Sequence, residues 1–492
     1  MKSFGIAAVV FLFLTTVSVS AFQTNETDTL QKVSGIVTDR SGAPLSGVSI
    51  DASGTSTGTV SDVNGKYSID VPQNVILKFS YIGMAAQEIA VENRQIINVV
   101  MEEPIRIEPG KPVDLTTKQK QKAKVDNSLA FKLFSEISKS KGDNTFFSPY
   151  SLNMALGLLY NGSSGNTRNE IVKLLDLSNF SETEINEYYQ KMSQVLLKID
   201  PLTNISIANS IWYRNNISVR SAFIETCKNY FDANVQALDF SSSNAANIIN
   251  NWCADKTKNK ITQIVTNPVP DDMMMYLINA LYFKSKWQLG KTFDKAKTKL
   301  DDFTKTNGQK IKANLMEQTA ILPYYADRHL QCVELPYGNG AFSMIAILPS
   351  EDMNINLLIE YLNSVEWDSI TNNMMIQKVW LKMPRFKVEC ELPINQPLMN
   401  FGMKQIFIGG FTNIADTSLY VSDIKQKTFV EVNEEGTEAV VLTATVIGYG
   451  SIRKAPPIEP VHFFANRPFL FLIREKSSGV ILFIGRIDEP HE

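Results

Sequence analysis

The chain has 492 residues, of which 44% are apolar and 20% are charged, and its formal net charge is −3. This length favours two folded units over one, and the apolar fraction is sufficient for a packed core. A net charge this close to zero predicts neither a nucleic-acid-binding surface nor an acidic tail, so nucleic acid is not an expected partner.

The first residues have the pattern of an export signal. Lys2 precedes an apolar run over residues 4–17, and small residues follow as far as Ala21. Since this run is too short to span a bilayer comfortably, residues 1–21 are interpreted as a signal peptide cleaved near Ala21. We expect an exported protein without a transmembrane segment, located in the extracellular space, at the cell surface or in the periplasm. No cysteine lies near the cleavage site, which argues against a lipid anchor.

Residues 32–103 alternate between apolar and polar side chains, as half-buried strands do. The apolar positions are Val48, Ile50, Ala52, Tyr67, Ile69, Val71, Leu77, Phe79, Tyr81, Ile97, Val99 and Met101. Turn signals at residues 39–42 and 62–65 separate the runs, so a small antiparallel β-sandwich is predicted. Asp62-x-Asn64-Gly65 suggests calcium, but no further ligands follow at the required spacing, and a hairpin turn is the preferred interpretation.

Three stretches of this region, GIVTD at 35–39, GAPLSGV at 42–48 and SDVNGKY at 61–67, resemble the carboxypeptidase-regulatory-like module. The resemblance implies an accessory domain, common at the start of exported Gram-negative surface proteins, and no catalytic role. After this module, residues 104–124 combine three prolines with alternating lysines at 118, 120, 122 and 124. This composition predicts a solvated linker, although the lysines also permit contact with a polyanion. The second domain is expected over 125–492.

The second domain begins with helical patterns. Apolar residues at 130, 133, 134 and 137 give a first helix its buried stripe. Ser148 and Pro149 predict the cap and first turn of a second, buried helix that Gly162 ends, and Thr167-x-x-Glu170 predicts a capping box for a third. Strand-like runs follow at 205–213, 275–283, 342–348, 379–386, 469–473 and 481–486. Helices first and strands later indicate an α+β domain.

The chemistry-bearing residues are sparse. Cys227, Cys253, Cys332 and Cys390 are widely spaced, so disulfides and buried thiols both remain open, while a zinc site is disfavoured and no metal is expected. Only three histidines occur, and no hydrolase, metalloprotease or P-loop motif is present, so no catalytic residue and no cofactor are predicted. The simplest interpretation of His462 is a strand residue.

One stretch near the carboxyl end combines strand propensity with loop signals. Residues 439–447 are rich in strand-formers, whereas glycines at 436, 448 and 450 and prolines at 456 and 457 flank them. A strand-competent segment held as a loop is an aggregation hazard unless the fold has a place for it.

The sequence at the start of this stretch, VNEEGTEA at 432–439, closely resembles the hinge of the serpins, a family of protease inhibitors. Further matching fragments occur in the family's order: NTFFSPYSL at 144–152, YFKSKW at 282–287, LPY at 335–337, LP at 348–349, MPRF at 383–386, and NRPFLF at 466–471 with GR at 485–486. The resemblance implies a serpin fold, with a large central β-sheet, helices and an exposed reactive-centre loop, preceded here by the small β-sandwich.

The function that the resemblance implies is suicide inhibition of a serine protease. The protease attacks the loop, and the loop's amino-terminal part then inserts into the central sheet before the acyl-enzyme is hydrolysed. The hinge would be Glu434, Glu435, Gly436, Thr437, Glu438 and Ala439, and the inserting face would continue with Val441, Thr443, Thr445 and Ile447. The family's gate under the sheet would be Ser148, Ser151, Asn279 and Gln426, with Trp287 at the entry point.

The family spacing of fourteen residues after Gly436 places the reactive bond at Gly450-Ser451. That bond suits an elastase-like enzyme, whereas Tyr449-Gly450 suits a chymotrypsin-like one and Arg453 or Lys454 a trypsin-like one. The expected partner is therefore a serine protease, with elastase- or chymotrypsin-like enzymes favoured. The protein itself is expected to be a monomer. Two alternatives are a non-inhibitory binding or scaffold protein with the same fold, and an adhesion module in which the sandwich is the functional part.

Overall fold

A computed structural model describes residues 30–103, 108–140, 144–422, 424–437 and 459–492 of the chain. These residues form two compact units, one before the gap at 104–107 and one after it. The predicted signal peptide, residues 1–21, lies outside the described residues.

The first unit is an all-β sandwich, as predicted. Its strands are β1 (Gln31–Thr38), β2 (Ser49–Ala52), β3 (Gly58–Val60), β4 (Lys66–Val71), β5 (Ile76–Ser80), β6 (Gln87–Ala90) and β7 (Val99–Val100). They form a three-stranded sheet, in the order β4-β1-β7, and a four-stranded sheet, in the order β3-β2-β5-β6. The alternating apolar positions are buried between them, except for Tyr81, which is half-buried. The expectation of purely antiparallel pairing is wrong at one place, because β1 and β7 pair in parallel.

Asp62 makes the turn that the sequence favours over a calcium site. One of its carboxylate oxygens accepts the backbone N–H groups of Asn64 and Lys66, both at 2.8 Å. An aspartate that caps its own turn is satisfied without a metal ion.

The helices of the second unit are α1 (Thr117–Ser140), α2 (Pro149–Gly162), α3 (Gly165–Leu174), α4 (Glu182–Leu196), α5 (Ser221–Phe231), α6 (Ala245–Lys256), α7 (Ile355–Ser364), α8 (Trp367–Asn372) and α9 (Asn395–Asn400), with short 3₁₀ turns at Lys295–Lys297 and Gln405–Phe407.

Its strands are β8 (Thr145–Phe147), β9 (Asn204–Arg214), β10 (Ala233–Leu238), β11 (Met275–Lys286), β12 (Lys299–Thr304), β13 (Lys310–Ala326), β14 (Leu330–Pro336), β15 (Phe342–Pro349), β16 (Met375–Pro384), β17 (Phe386–Pro393), β18 (Lys425–Asn433), β19 (Gly436–Thr437), β20 (Val461–Phe464), β21 (Phe469–Glu475) and β22 (Ile481–Ile487). The α+β class is confirmed, with helices early and most strands later in the chain.

Helix α2 begins and ends where its sequence predicts. The Ser148 side chain accepts the N–H of Ser151, Pro149 occupies the first turn, and Gly162 is the last helical residue. Nearly every side chain of this helix is buried, since it lies beneath the sheets.

The capping box predicted at Thr167 is wrong. Helix α3 begins at Gly165, so Thr167 lies inside it and donates its hydroxyl to the carbonyl of Gly409. Glu170 accepts backbone N–H groups from the segment at 404–405. The reciprocal box forms instead at Ser181 and Glu184, which start α4.

The predicted linker is also wrong at its carboxyl end, because residues 117–124 belong to α1. The Lys122 ammonium is buried, pairs with Asp126 and donates to the hydroxyl of Tyr189 at 3.3 Å. Lys118 pairs with Glu184 at 2.7 Å. At least these two lysines therefore attach the helix to the domain rather than extending into solvent.

Two sheets organise the second unit. The first has six strands in the order β10-β9-β11-β19-β18-β17. The second has nine strands: the path β20-β16-β13-β14-β15-β21-β22-β8, and β12 paired to β13. Strands β21 and β22 are buried along their whole length, which makes the second sheet part of the main core.

The four cysteines are buried thiols. Burial raises the pKa of Cys227 to about 12 and that of Cys253 to about 11, which makes both unreactive at neutral pH. Within the described residues, no helix is long and apolar enough to cross a membrane.

Candidate functional site

The residues of the hinge that the structure describes beyond Glu435 lie inside the six-stranded sheet. Strand β19, which is only Gly436 and Thr437, pairs antiparallel with β11 on one side and with β18 on the other. Thr437 is in register with Ser285 and with Val432. Two residues of a new central strand are thus already in place at one end of the sheet.

Beyond these two residues, no ladder among the described residues joins β11 to β18. A cavity of about 270 Å³ lies there, lined by residues of both strands, of α2 and of the segment after α6. The sheet therefore has room for more of the chain that follows Thr437.

Gly436 is required by the close approach of β11. Its φ is +143°, and a Cβ at this position would lie 2.3 Å from the carbonyl oxygen of Ser285. Only glycine tolerates both the backbone conformation and this contact. The glycine of the hinge motif therefore has a steric cause in this structure.

Thr437 is buried and anchored to an aromatic pair. Its hydroxyl lies 2.7 Å from the hydroxyl of Tyr337, whose ring stacks on Trp287 with centroids 4.6 Å apart. The Trp287 indole N–H donates to the carbonyl of Asn433 at 2.9 Å, and its backbone N–H donates to the carbonyl of Glu435 at 2.9 Å. Trp287 therefore contacts the chain where it enters the sheet, at the predicted entry point.

The two acidic residues before the glycine are held by separate cations. Glu434 is buried and accepts Arg385 at 2.6 and 2.8 Å, together with the hydroxyl of Thr298. Burial opposes ionisation of Glu434, but the hydrogen bonds from Arg385 and Thr298 outweigh it and hold its pKa below the usual range. Glu435 pairs with Lys295. These contacts fix the start of the loop to the body of the domain.

The four predicted gate residues form one hydrogen-bonded network. Gln426 accepts the N–H of Ser148 at 2.6 Å and donates to its carbonyl at 2.9 Å. The Ser148 hydroxyl donates to the carbonyl of Leu482 at 2.8 Å. The Ser151 hydroxyl donates to Asn279 of β11. The network joins α2 to both strands that border the cavity, β11 and β18. Its role as a gate stays a prediction.

Sequence reasoning missed one member of this network. Asn209 of β9 accepts the side-chain amide of Asn279 and donates to the carbonyl of Phe231 at 2.7 Å. It extends the network from the cavity to the adjacent strand and to α5. An asparagine in the middle of a strand was the available signal, since buried amides need partners.

Several predicted site residues lie outside the described part of the chain. They are Glu438 and Ala439 of the hinge, Val441, Thr443, Thr445 and Ile447 of the inserting face, and the reactive-bond candidates Tyr449, Gly450, Ser451, Arg453 and Lys454. Their assignments stay predictions.

The described residues offer little for catalysis or metal binding. His462 lies in β20, as expected, and stacks on Phe464. Among the residues that the structure describes, no group of three or more histidine, cysteine or acidic side chains is arranged to hold a metal ion. The site is suited to bind a further β-strand. Gly436 and Thr437 already pair with β11 and β18, and both strands line a cavity.

Comparison with known proteins gives two family matches. Residues 124–490 match the family described as Serpin (serine protease inhibitor), and residues 33–108 match the one described as CarboxypepD_reg-like domain. Iripin-3 of Ixodes ricinus is 32% identical over 371 residues, which cover 74% of this chain and 93% of Iripin-3.

Comparison with solved structures also gives serpins. The native state of the thermophilic serpin Tengpin is 28% identical and has a TM-score of 0.68, covering 78% of this chain and 97% of Tengpin. Human thyroxine-binding globulin in complex with its ligand is 22% identical with a TM-score of 0.67, covering 76% of this chain and 100% of that one, and at this identity it shows the fold alone.

Proposed function

Because the chain belongs to the serpin family and carries a CarboxypepD_reg-like domain in front, we propose that it is an exported serine-protease inhibitor acting by loop cleavage and insertion. The observation that carries this proposal is the position of Gly436 and Thr437 between β11 and β18, above a cavity where these strands share no described ladder. A sheet in this state gains hydrogen bonds by accepting more of the same chain.

The length of the loop fits the space. Residues 437–449 would span about 43 Å as a strand, and β11, with its 12 residues, spans about 40 Å at about 3.3 Å per residue. A bond cut at Gly450-Ser451 would therefore leave an amino-terminal strand that matches β11.

The chemical steps belong to the protease. Its nucleophile attacks the carbonyl carbon of the reactive bond, the peptide C–N bond breaks, and the released amine takes a proton while an acyl-enzyme forms. Water would normally hydrolyse that ester. Insertion of residues 438–449 moves the attached protease before this happens, so the rate of insertion relative to hydrolysis decides between inhibitor and substrate.

The network of Ser148, Ser151, Asn279 and Gln426 would control this rate. For a strand to enter, β11 and β18 must separate across the cavity, and the network connects both to α2. The family commonly has histidine where this chain has Gln426. Glutamine donates and accepts but does not ionise, so we expect little pH dependence of insertion from this position.

A protease panel tests the proposal. The full-length protein is incubated with elastase-, chymotrypsin- and trypsin-like enzymes, and a covalent complex that survives denaturant is expected with at least one. Mass spectrometry of the released carboxyl-terminal fragment identifies the bond, which we expect at Gly450-Ser451, with Tyr449-Gly450 and the bonds after Arg453 and Lys454 as alternatives. Cleavage by every enzyme without any complex would contradict the inhibitory proposal.

A second candidate is a non-inhibitory binding protein, and one observation favours it. A groove of about 630 Å³ lies between α1, the end of α3 and the segment from α7 to α8. This volume is in the range of small-molecule sites. Cleavage without a complex, together with a rise in melting temperature on adding a small ligand, would support this candidate over the first.

A further inference from the structure

The last part of the predicted linker lies bound along the second unit. Residues 110–115, which we call the strap, come just before α1. Val113 and Leu115 are buried in the main core, whereas the residue between them is exposed. The Val113 N–H donates to the Ser477 hydroxyl at 2.8 Å, and Pro112 keeps the residue before it extended. The strap is therefore not a solvated linker, since alternate side chains of this extended segment face the protein.

Gly110 joins the strap to the turn between β14 and β15. We call this turn, residues 337–341, the β14–β15 turn. The Gly110 N–H donates to the carbonyl of Asn339 at 3.2 Å. A Cβ added to Gly110 would lie 2.6 Å from the Cβ of Ala341, which is closer than real side chains approach. Glycine is therefore required at this position if the strap is to lie against the turn.

The β14–β15 turn is the part of the molecule that holds Thr437. Its first residue is Tyr337, whose hydroxyl lies 2.7 Å from that of Thr437 and whose ring stacks on Trp287. The next residue, Gly338, donates its N–H to the carbonyl of Lys286 on β11 at 2.9 Å. A displacement of the turn would therefore move the groups that position Thr437.

Asp200 holds the turn from another side. Its carboxylate is buried and accepts the Asn339 N–H at 3.3 Å and the Thr203 hydroxyl at 2.6 Å. The Thr203 hydroxyl lies 2.7 Å from that of Ser285, which is in register with Thr437 on β11. The turn is thus held by both the strap and Asp200, and a second chain of hydrogen bonds leads from it to the hinge.

We propose that the strap is a positioning element for Thr437, because it holds the turn whose Tyr337 receives that residue. The effect of the strap on inhibition rests on the proposed function. A receiving group that is already held in its bound position lowers the entropic cost of binding. Since insertion continues from Thr437, a looser turn slows the entry of the strand relative to hydrolysis of the acyl-enzyme. The chain in front of the second domain is then part of the machinery of insertion and more than a tether.

Hydrogen exchange of the full-length protein tests the position of Thr437 directly. Gly110→Ala places a methyl group against Ala341 and so separates the strap from the turn. The exchange of the peptide that contains Gly436 and Thr437 should become about tenfold faster, which corresponds to about 1.4 kcal/mol of lost local protection. Peptides of α6, which packs in a separate hydrophobic cluster, should exchange as in the wild type.

Three further variants make the test specific. Adding Ala341→Gly to Gly110→Ala removes the methyl group that the new one meets, so it should restore the slow exchange. Val113→Ser loosens the other end of the strap and should act in the same direction as Gly110→Ala. Lys111→Ala is the matched control, because Lys111 is an exposed residue of the same strap, and its exchange should equal that of the wild type.

A protease that forms the covalent complex measures the consequence for inhibition. With Gly110→Ala, a larger fraction of the inhibitor should be cleaved without forming a complex, and the double variant with Ala341→Gly should restore the yield of complex. The rate at which the protease attacks the loop should stay that of the wild type, because the reactive bond and the residues around it are unchanged.

The outcomes separate this inference from the proposed function. Wild-type exchange at Thr437 in both Gly110→Ala and Val113→Ser would overturn the inference, while a complex formed by the wild type would leave the function standing. Faster exchange with an unchanged yield of complex would overturn the effect of the strap on insertion. If the wild type forms no complex with any protease, the proposed function fails, and exchange at Thr437 alone decides whether the strap positions it.

Discussion

Thr437 is the first side chain of the hinge that the sheet encloses, and its surroundings leave no room for a charge. It is buried against Tyr337 and Trp287, with its hydroxyl satisfied by the tyrosine. Burying an unpaired charge costs several kcal/mol, so a charged residue here would keep the chain out of the sheet.

If the protein is an inhibitor as proposed, Thr437→Arg should therefore convert it into a substrate. The expected result is cleavage at the same bond with loss of the covalent complex, measured by denaturing electrophoresis and mass spectrometry. Thr437→Ser keeps the hydroxyl and should keep inhibition. An unchanged yield of complex in the arginine variant would contradict insertion as the mechanism.

Gln426 offers a second test at the scale of one residue. Replacing it with leucine leaves the buried N–H of Ser148 without its acceptor, so the free energy of unfolding should fall by about 1–3 kcal/mol in denaturant titration. Gln396→Leu, at an exposed position of α9, should change it by less than about 0.5 kcal/mol. Equal effects of the two substitutions would show that the network contributes nothing to the stability of the folded protein.

At the scale of elements, an ion pair attaches the start of the hinge to the neighbouring strands. It joins the residue after β18 to the residue between β16 and β17. Arg385, between β16 and β17, holds Glu434 at the end of β18. The pKa of Glu434 in the folded state lies below the ordinary value of about 4.3. Its contribution to stability is therefore fully present above that value and is lost as the pH falls through the folded pKa.

Glu434→Gln should thus destabilise the protein most at neutral pH. We expect the difference in free energy of unfolding between wild type and variant to shrink between pH 7 and pH 3, as measured by denaturant titration at each pH. Glu182 forms a half-exposed ion pair with Arg168, so Glu182→Gln should lower the free energy of unfolding by less than Glu434→Gln does. A difference that is independent of pH would show that the carboxylate charge does not hold the hinge.

For the whole molecule, a sheet in which the described residues show no ladder between β11 and β18 beyond Thr437 predicts a metastable fold. Insertion of about ten residues as a central strand would form about two hydrogen bonds per residue, each worth on the order of 1 kcal/mol. Ordering the chain costs about 1 kcal/mol per residue, so a gain of about 10 kcal/mol remains. At about 2.1 cal/mol/K of unfolding entropy per residue, a domain of this size gains on the order of 10 °C in melting temperature.

Cleavage of the loop should therefore raise the melting temperature, whereas cutting a surface loop of most folded proteins does not. Differential scanning calorimetry of the intact and the cleaved protein measures the change, and cleaved Thr437→Arg, whose loop cannot enter the sheet, is the control without the increase. If the cleaved wild type melts at or below the temperature of the intact protein, no stored energy is available to the proposed mechanism.

Local sequence signals were reliable where they depend on neighbouring residues alone. The cap and first-turn proline of α2, the buried stripe of α1 and the alternation of the sandwich strands all appear as predicted. The same kind of signal failed at Thr167, because α3 already begins at Gly165, whereas the matching pattern at Ser181 does start a helix. The prediction of a solvated linker failed at 117–124 for a related reason. Lys122 and Lys118 contact Tyr189 and Glu184, which lie on the distant helix α4, and the sequence near the lysines does not reveal these partners.

The sequence by itself determined the order of domains, the α+β class and the family, because these depend on local periodicity and on motifs contiguous in the chain; its assignment of the hinge residues stays a prediction. The tertiary structure alone decided that Gly436 and Thr437 already lie between β11 and β18, and that Asn209 joins the network beneath them. The physical reason is that strand pairing and buried hydrogen bonds join residues hundreds of positions apart, and which partners meet depends on how the whole chain packs.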